Sequence, residues 1–223
     1  MIEVNAWVSR YVEVLTARFG DRVWFVGLQG SCARGEAREG SDIDMVVVLD
    51  RLAPEDIAAY DAMLDTIGQR SLACGFLGGK DELLAWEPSE LFQFCHDTTP
   101  ILGCLDEVLA RVDADAVDRA IRSGACSVYH GCVHNMLYDR DEGILRGLCK
   151  AATFAVRASV YRQTGVFCRR MDELADRARG LDRQVAVAWL DMKGGAAPDF
   201  RCLSELLFLW AREKLVPESE QDS

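Results

Sequence analysis

A Gly-Ser turn and a pair of aspartates, held between two apolar segments, constrain the fold more than any other feature of this chain. Residues 22–30 read RVWFVGLQG, which is typical of a buried strand that ends in a glycine. About ten residues later, Asp42 and Asp44 open a second apolar run that extends to Leu49. Side chains two residues apart on a strand share a face, so both carboxylates point into one small volume. The pair predicts a Mg²⁺ site, because Mg²⁺ commonly binds one or two carboxylates together with substrate phosphates.

The turn between the two apolar segments predicts an anion site. Gly30 has no side chain, so the backbone can approach a ligand closely there. If residues 31–36, SCARGE, open a short helix, the first backbone N–H groups and the Ser31 hydroxyl face an anion such as a phosphate. The same hydroxyl also suits a helix cap. Ser41, directly before the first aspartate, is interpreted either as a turn residue or as a support for the two aspartates.

Residues 30–49, GSCARGEAREGSDIDMVVVL, resemble the signature of the polymerase-beta-type nucleotidyltransferase superfamily, which includes small-molecule and antibiotic nucleotidyltransferases. The resemblance implies that a substrate hydroxyl attacks the α-phosphorus of a nucleoside triphosphate, with ATP as the expected donor, and that pyrophosphate leaves. It implies that Asp42 and Asp44 are catalytic and hold two Mg²⁺ ions. It further implies that Gly30, Ser31 and Ser41 bind the nucleotide.

Members of this superfamily commonly add a third carboxylate from a later strand. The corresponding strand here, residues 71–78, reads SLACGFLG and contains no acidic residue. Glu82 is the preferred candidate, Asp81 is the second, and Glu87 is a further alternative. If none of them points toward the first two aspartates, the site binds nucleotide without transferring it.

The pattern of apolar residues predicts an α/β plus all-α fold, with an N-terminal mixed-sheet domain followed by a C-terminal helical bundle. The expected domains are a catalytic domain at 1–105, a bundle at 106–216 on the acceptor side of a cleft, and a flexible tail at 217–223. In the first domain, helical periodicity covers residues 3–19, and a short strand is predicted at 82–85. The predicted bundle helices cover residues 112–137, 144–163, 171–177, 184–192 and 200–215.

Lys150 is the one residue of the predicted bundle that we assign to nucleotide binding. It lies among apolar residues in the segment GLCKAATFAVRA. Helical-domain lysines of related transferases reach across the cleft to the triphosphate, and the resemblance implies the same for Lys150. The alternative is that its apolar stem lies along the surface while the ammonium group stays in water.

Composition restricts the class of partner. The formal net charge of −11 argues against a nucleic acid, because proteins that bind nucleic acids generally present a basic surface to the phosphates. Nine cysteines without a CxxC pair indicate free thiols in a reducing compartment, so we expect a cytoplasmic protein. No apolar run is long enough to span a membrane, and the sequence leaves a homodimer open.

Three functions are compatible with these features. The first is transfer of a nucleoside monophosphate to a hydroxyl of a small molecule such as an aminoglycoside-like acceptor. The second is an AMPylating enzyme of the toxin-antitoxin type, which modifies a partner protein. The third is a regulatory module that binds nucleotide without catalysis, and the absence of an acidic residue on strand 71–78 favours it.

Overall fold

The computed structural model describes residues 4–37 and 40–216, which fall into two compact units at 1–111 and 112–223. The first unit contains a four-stranded mixed sheet, and the second is helical, so the predicted fold class is confirmed. The predicted flexible tail, 217–223, lies outside the described residues.

The sheet of the first unit has the strand order β3-β2-β1-β4. Strand β1 is antiparallel to both β2 and β4, whereas β2 and β3 are parallel. The end of β1 and the start of β3 therefore lie beside the start of β2. The strands are β1 Val23–Gln29, β2 Ile43–Leu49, β3 Ala73–Gly79 and β4 Thr99–Leu102.

The helices of the first unit are α1 Val4–Phe19, α2 Gly30–Ala33, α3 Pro54–Ile67, α4 Lys80–Ala85, α5 Pro88–Asp97 and α6 Asp106–Leu109. Helix α4 corrects one prediction, because the segment 82–85 was expected to be a strand. The sequence KDELLA carries Asp81 and Glu82 in the first helical turn, where negative charge is favourable, followed by leucines and an alanine that favour helix. These local preferences outweigh the short apolar run.

One face of the sheet carries the core of the first unit. Helix α1 buries residues spaced four positions apart, which is the expected amphipathic pattern. They pack with alternate residues of β2 and with Met63 of α3. Because side chains alternate along a strand, Asp44 lies on the opposite face of the sheet from this core. The buried residues are Trp7, Tyr11, Leu15 and Phe19 of α1, and Ile43, Met45, Val47 and Leu49 of β2.

Helix α5 packs on the opposite face of the sheet. The ring of Phe94 contacts that of Phe76 on β3 in an edge-to-face arrangement, with centroids 5.1 Å apart. The end of α5 is tied to the end of β1, because Gln29 Nε2 donates to the Phe94 carbonyl at 3.1 Å and to Thr98 Oγ1 at 2.7 Å. The last turn of α5 is thereby fixed beside Gln29, the residue that pairs with Asp44.

The second unit is built around α8, which lies against α7, α10 and α11. Its helices are α7 Ala114–His134, α8 Glu142–Thr164, α9 Met171–Arg177, α10 Gly180–Lys193 and α11 Phe200–Leu215. No described helix in either unit combines the length and apolar character that a membrane span needs.

A buried carboxylate links three helices of the second unit. Asp182 of α10 is 4% exposed and accepts hydrogen bonds from Ser159 Oγ, from Trp210 Nε1 at 2.8 Å and from Lys214 Nζ at 3.0 Å. Both partners on α11 are themselves largely buried. The carboxylate therefore satisfies a cation and two neutral donors that have little access to water.

We expect Asp182→Ala to lower the free energy of unfolding by roughly 3 kcal/mol, because it leaves the buried Trp210 N–H without its acceptor and leaves the partly buried Lys214 ammonium with only the more exposed Glu213. Urea denaturation of the whole chain measures the change. The matched control is Asp172→Ala at an exposed pair with Arg170, where we expect a much smaller loss because water screens the pair. Equal losses in the two variants would contradict this role of Asp182.

Candidate functional site

The carboxylate of Asp44 rests directly against Gly30. Gly30 has φ +68°, and a Cβ on it would lie 1.9 Å from Asp44 Oδ2. Gln29, immediately before it, pairs across the sheet with Asp44. Both the left-handed backbone and the missing side chain are required here, so only glycine fits. The turn at Gly30 and Asp44, the aspartate that lies on β2, therefore form one structural unit.

Cys32 of the turn lies near Ser31 and within the electrostatic influence of both aspartates. Cys32 Sγ donates a weak hydrogen bond to the Asp42 carbonyl at 3.4 Å. Burial raises the pKa of the Cys32 thiol, and the negative charge of Asp44, with a smaller contribution from Asp42, raises it further. A hydrogen bond with the Ser31 side chain acts in the opposite direction. Cys32 therefore contacts Asp42 through the backbone carbonyl of Asp42, and the joint site of the two carboxylates stays a prediction.

The turn after β1 closes on itself through backbone hydrogen bonds. Helix α2 is a single turn, and the Arg34 N–H donates to the Gly30 carbonyl at 3.3 Å. The Glu36 N–H donates to the Ser31 carbonyl at 2.8 Å. Ser41 is half-buried in the connection directly before Asp42. The predicted nucleotide-binding residues of the first unit therefore border one short loop between β1 and β2.

An ion pair holds this loop against the end of α5. Arg34 Nη1 donates to both carboxylate oxygens of Asp97, at 3.1 and 3.0 Å. The side chains of Arg34 and Asp97 are only 16% and 12% exposed, so the pair is shielded from water. Arg34 Nε also lies 3.5 Å from Glu36 Oε2. Together with the contacts of Gln29 to α5, this pair fixes the loop at two points.

The structure does not bring the predicted third carboxylate to the aspartates. Strand β3 runs parallel to β2, with Asp44 opposite Cys74 and Leu49 opposite Gly79. Glu82 follows β3 and lies against Gly79, because a Cβ there would be 2.0 Å from Glu82 Oε2. Leu49 lies five strand positions from Asp44, which is about 17 Å at 3.3 Å per residue. Glu82, beside Gly79, is therefore at the opposite end of β2 from Asp44.

The two alternative acids lie at the same distant end of the sheet. Asp81 precedes Glu82 on α4. Glu87 caps the start of α5, where its Oε1 accepts from the Ser89 N–H at 3.5 Å. The ten residues of α5 span about 15 Å, so Glu87 lies one helix length away from Asp97, which contacts the loop. All three acids are far from Asp44 because β3 runs parallel to β2. The start of β3 therefore lies beside Asp44, and the residues that follow β3 lie at the other end. The residue of β3 opposite Asp44 is Cys74.

The described part of the chain contains no group of three or more His, Cys, Asp or Glu side chains arranged to hold a metal ion. Asp42 and Asp44 still fit Mg²⁺, because this ion usually takes one or two protein carboxylates and completes its shell with water and phosphate oxygens. The close approach of Gly30 leaves backbone rather than a side chain beside the Asp44 carboxylate. The donor set therefore suits a cation that a bound phosphate helps to hold.

Lys150 lies on α8 in the second unit, and its residue is exposed. Its role toward a triphosphate stays a prediction.

Sequence reasoning did not identify Gln29, Asp97 or Thr98, which fix the loop to α5. The available signal was the polar sequence HDTT at the junction of α5 and β4, since a polar junction beside an apolar strand needs partners.

The family model of the nucleotidyltransferase domain matches residues 8–91 of this chain. This range contains the loop, both aspartates and strands β1 to β3. A search of the curated proteins finds no match.

The whole chain is similar in fold to a solved structure, spectinomycin adenyltransferase AAD(9) from Enterococcus faecialis with ATP and spectinomycin. The TM-score is 0.60 at 14% sequence identity, and the alignment covers 95% of this chain and 98% of the other. At this identity the likeness concerns the fold, and it extends across both units.

Gly30→Ala tests the contact between the loop and Asp44. The new Cβ would displace the carboxylate, so we expect Mn²⁺ binding, measured by isothermal titration calorimetry, to be lost. Gly35→Ala is the matched control, because Gly35 has nearly the same φ, +67°, and no atom of the described residues lies within 4 Å of the added Cβ. It should cost about 1–2 kcal/mol of backbone strain and leave the metal affinity unchanged. Equal loss of Mn²⁺ binding in both variants would contradict the assignment.

The geometry and the family match agree on the same residues. The match includes the turn at Gly30, the acidic pair that follows it, and the strands that hold them. Residues 8–91 of the chain thus form a nucleotidyltransferase domain, in agreement with the predicted superfamily.

Proposed function

We propose that this nucleotidyltransferase moves adenosine monophosphate from ATP to a hydroxyl group of a small molecule that carries amino groups. The observation that carries the proposal is the contact of the Asp44 carboxylate with Gly30, which joins a carboxylate pair to a backbone turn suited to phosphate. In this reaction the acceptor oxygen bonds to the α-phosphorus, the bond to the β-phosphate breaks, and pyrophosphate and the hydroxyl proton are released.

The residues of the first unit have separate roles in this proposal. The backbone at Gly30 and the hydroxyl of Ser31 bind the β- and γ-phosphates, and Ser41 supports the acidic pair. Asp42 and Asp44 would hold Mg²⁺, which supplies charge neutralisation and activation of the hydroxyl when bound. Arg34 and Asp97 keep the loop in place, which is the positioning that phosphoryl transfer chiefly requires.

Two observations support a small, cationic acceptor. The net charge of −11 favours a cation over a polyanion. The fold neighbour that spans nearly the whole chain is an adenyltransferase solved with ATP and spectinomycin. An acceptor screen therefore starts with aminoglycosides and aminocyclitols.

One observation favours a second function, a module that binds nucleotide without transferring it. The residue beside Asp44 on β3 is Cys74, so the described residues offer no carboxylate on that strand to accept the proton of an acceptor hydroxyl. Binding of ATP without formation of pyrophosphate, with every acceptor tested, would favour this module over the enzyme. An AMPylating enzyme would instead add 329 Da, the mass of an adenylyl group, to a partner protein.

The double variant Asp42→Asn, Asp44→Asn tests the metal and nucleotide site. We expect Mg²⁺-dependent binding of ATP to disappear, because amide groups neutralise neither the ion nor the triphosphate. Isothermal titration with and without Mg²⁺ measures the binding, and the far-ultraviolet circular dichroism spectrum controls for the fold. Wild-type affinity in the double variant would refute the site.

Glu82→Gln tests whether the acid after β3 takes part in the reaction. Because Glu82 lies at the far end of the sheet, we expect pyrophosphate release to stay within about twofold of wild type. Asp44→Asn serves as the positive control in the same assay, with an expected loss of at least a hundredfold. A fall of more than tenfold for Glu82→Gln would restore this residue as the third carboxylate.

A further inference from the structure

Two histidines lie one helical turn apart on the exposed side of α7. His130 and His134 are spaced i, i+4, which places them on one face of the helix. Both residues are exposed, and the centroids of their rings are 6.2 Å apart. A metal ion bound by one nitrogen of each ring, with bonds of about 2.1 Å, sets the centroids roughly 5–6 Å apart. Small rotations of the two exposed side chains therefore bring both rings to a single ion.

The helix departs from regular α geometry directly after the second histidine. Residues Asn135–Asp139 form a π-helical turn, in which the Arg140 N–H donates to the Asn135 carbonyl at 2.8 Å. The turn ends at Arg140, which has φ +50° although it is not a glycine. The buried side chain of Asn135 holds the turn, because it donates to the Asp141 carbonyl and accepts from the Asp141 N–H. Single π turns are rare in helices and occur frequently at functional sites.

The π turn places a carboxylate against His134. His134 Nδ1 lies 3.0 Å from Asp139 Oδ2. In a regular α-helix, residues five apart are separated by about 140° around the axis, so the wider π turn is what brings these two together. An ionised carboxylate only accepts hydrogen bonds, so the ring donates through Nδ1, and Nε2 of the neutral ring keeps its lone pair. The contact thus selects the tautomer and the ring orientation that a metal ligand needs.

We propose that His130 and His134 bind a transition-metal dication of the class of Zn²⁺ and Ni²⁺, with Asp139 as a positioning residue that acts through His134. Imidazole nitrogens suit these ions, whereas the oxygen atoms of Asp42 and Asp44 suit Mg²⁺. The histidines supply two ligands and water supplies the others, since the described residues contain no group of three His, Cys, Asp or Glu arranged for a metal. The site lies wholly in the second unit and does not depend on the proposed function.

Two neighbours of the pair stay outside the coordination shell. The ring of Tyr138 contacts that of His134, with centroids 4.9 Å apart, and limits its movement on one side. Cys126 is an exposed free thiol one turn before His130. It lies eight residues, or about 12 Å of helix, from His134, so one ion does not reach both.

The affinity experiment is isothermal titration of Ni²⁺ into the whole chain, with excess Mg²⁺ present to compete for the acidic pair. We expect wild type to bind one Ni²⁺, and Asp139→Ala to bind it at least about tenfold more weakly, because the imidazole is no longer oriented. His130→Gln and His134→Gln should lose at least as much, because each removes a ligand. His96→Gln is the matched control at the one other histidine of the chain, and it should leave the affinity unchanged. Glu142→Ala removes the same charge as Asp139→Ala at a residue that pairs with neither histidine in the described structure, and it should also have no effect.

A second measurement tests the positioning role apart from affinity. In a long-range ¹H–¹⁵N spectrum of the metal-free chain, we expect His134 to carry its proton on Nδ1 in wild type and to shift toward the Nε2 tautomer in Asp139→Ala. A purely structural contribution of Asp139 to the end of α7 does not predict this change of tautomer.

The inference fails in three cases. Ni²⁺ binding that survives in His130→Gln or His134→Gln would place the ion elsewhere, at thiols or at the acidic pair. Wild-type affinity in Asp139→Ala, or an Nε2 tautomer of His134 in wild type, would leave only an adventitious pair of surface histidines. Absence of Ni²⁺ binding by wild type would remove the site altogether. Each of these results leaves the proposed transfer of adenosine monophosphate untouched.

Discussion

The absence of a side chain at Gly30 is the constraint on which the rest of the site depends. The Asp44 carboxylate occupies the volume that a Cβ would fill, so the turn after β1 and the start of β2 are fitted to each other at atomic contact. The antiparallel pairing of Gln29 with Asp44 sets this register, and Arg34 with Asp97 secures the loop from outside the sheet. Gly30 and Ser31, which we assign to the phosphates, lie within this small, mutually dependent arrangement.

The parts of the structure that could be predicted from sequence are those determined by neighbouring residues. Alternation and apolar content indicated β1 and β2, and the spacing of Trp7, Tyr11 and Leu15 indicated α1. The same periodicity indicated the bundle, where the predicted helix at 171–177 has the observed bounds of α9. The two-residue repeat of a strand also predicts that Asp42 and Asp44 share one metal site, and this site stays a prediction.

The parts that could not be predicted depend on contacts between distant segments. Glu82 seemed suitable by its distance along the chain, but the direction of β3 relative to β2 decides which end of that strand reaches Asp44. The pairing of Arg34 with Asp97 joins residues 63 positions apart, and it depends on where the last turn of α5 crosses the sheet.

The loop of the site also has a role in the order of folding. Residues 30–42 connect β1 to β2, which pair antiparallel, so the phosphate turn and both aspartates lie within one hairpin. Closing a loop of this length costs slightly less entropy than closing the longer crossover to β3. The contact between Gly30 and Asp44 can therefore form as a local event, before the parallel strand and α5 are added. The chemical centre would then act as a nucleus for the sheet, and substitutions in its loop would slow folding as well as catalysis.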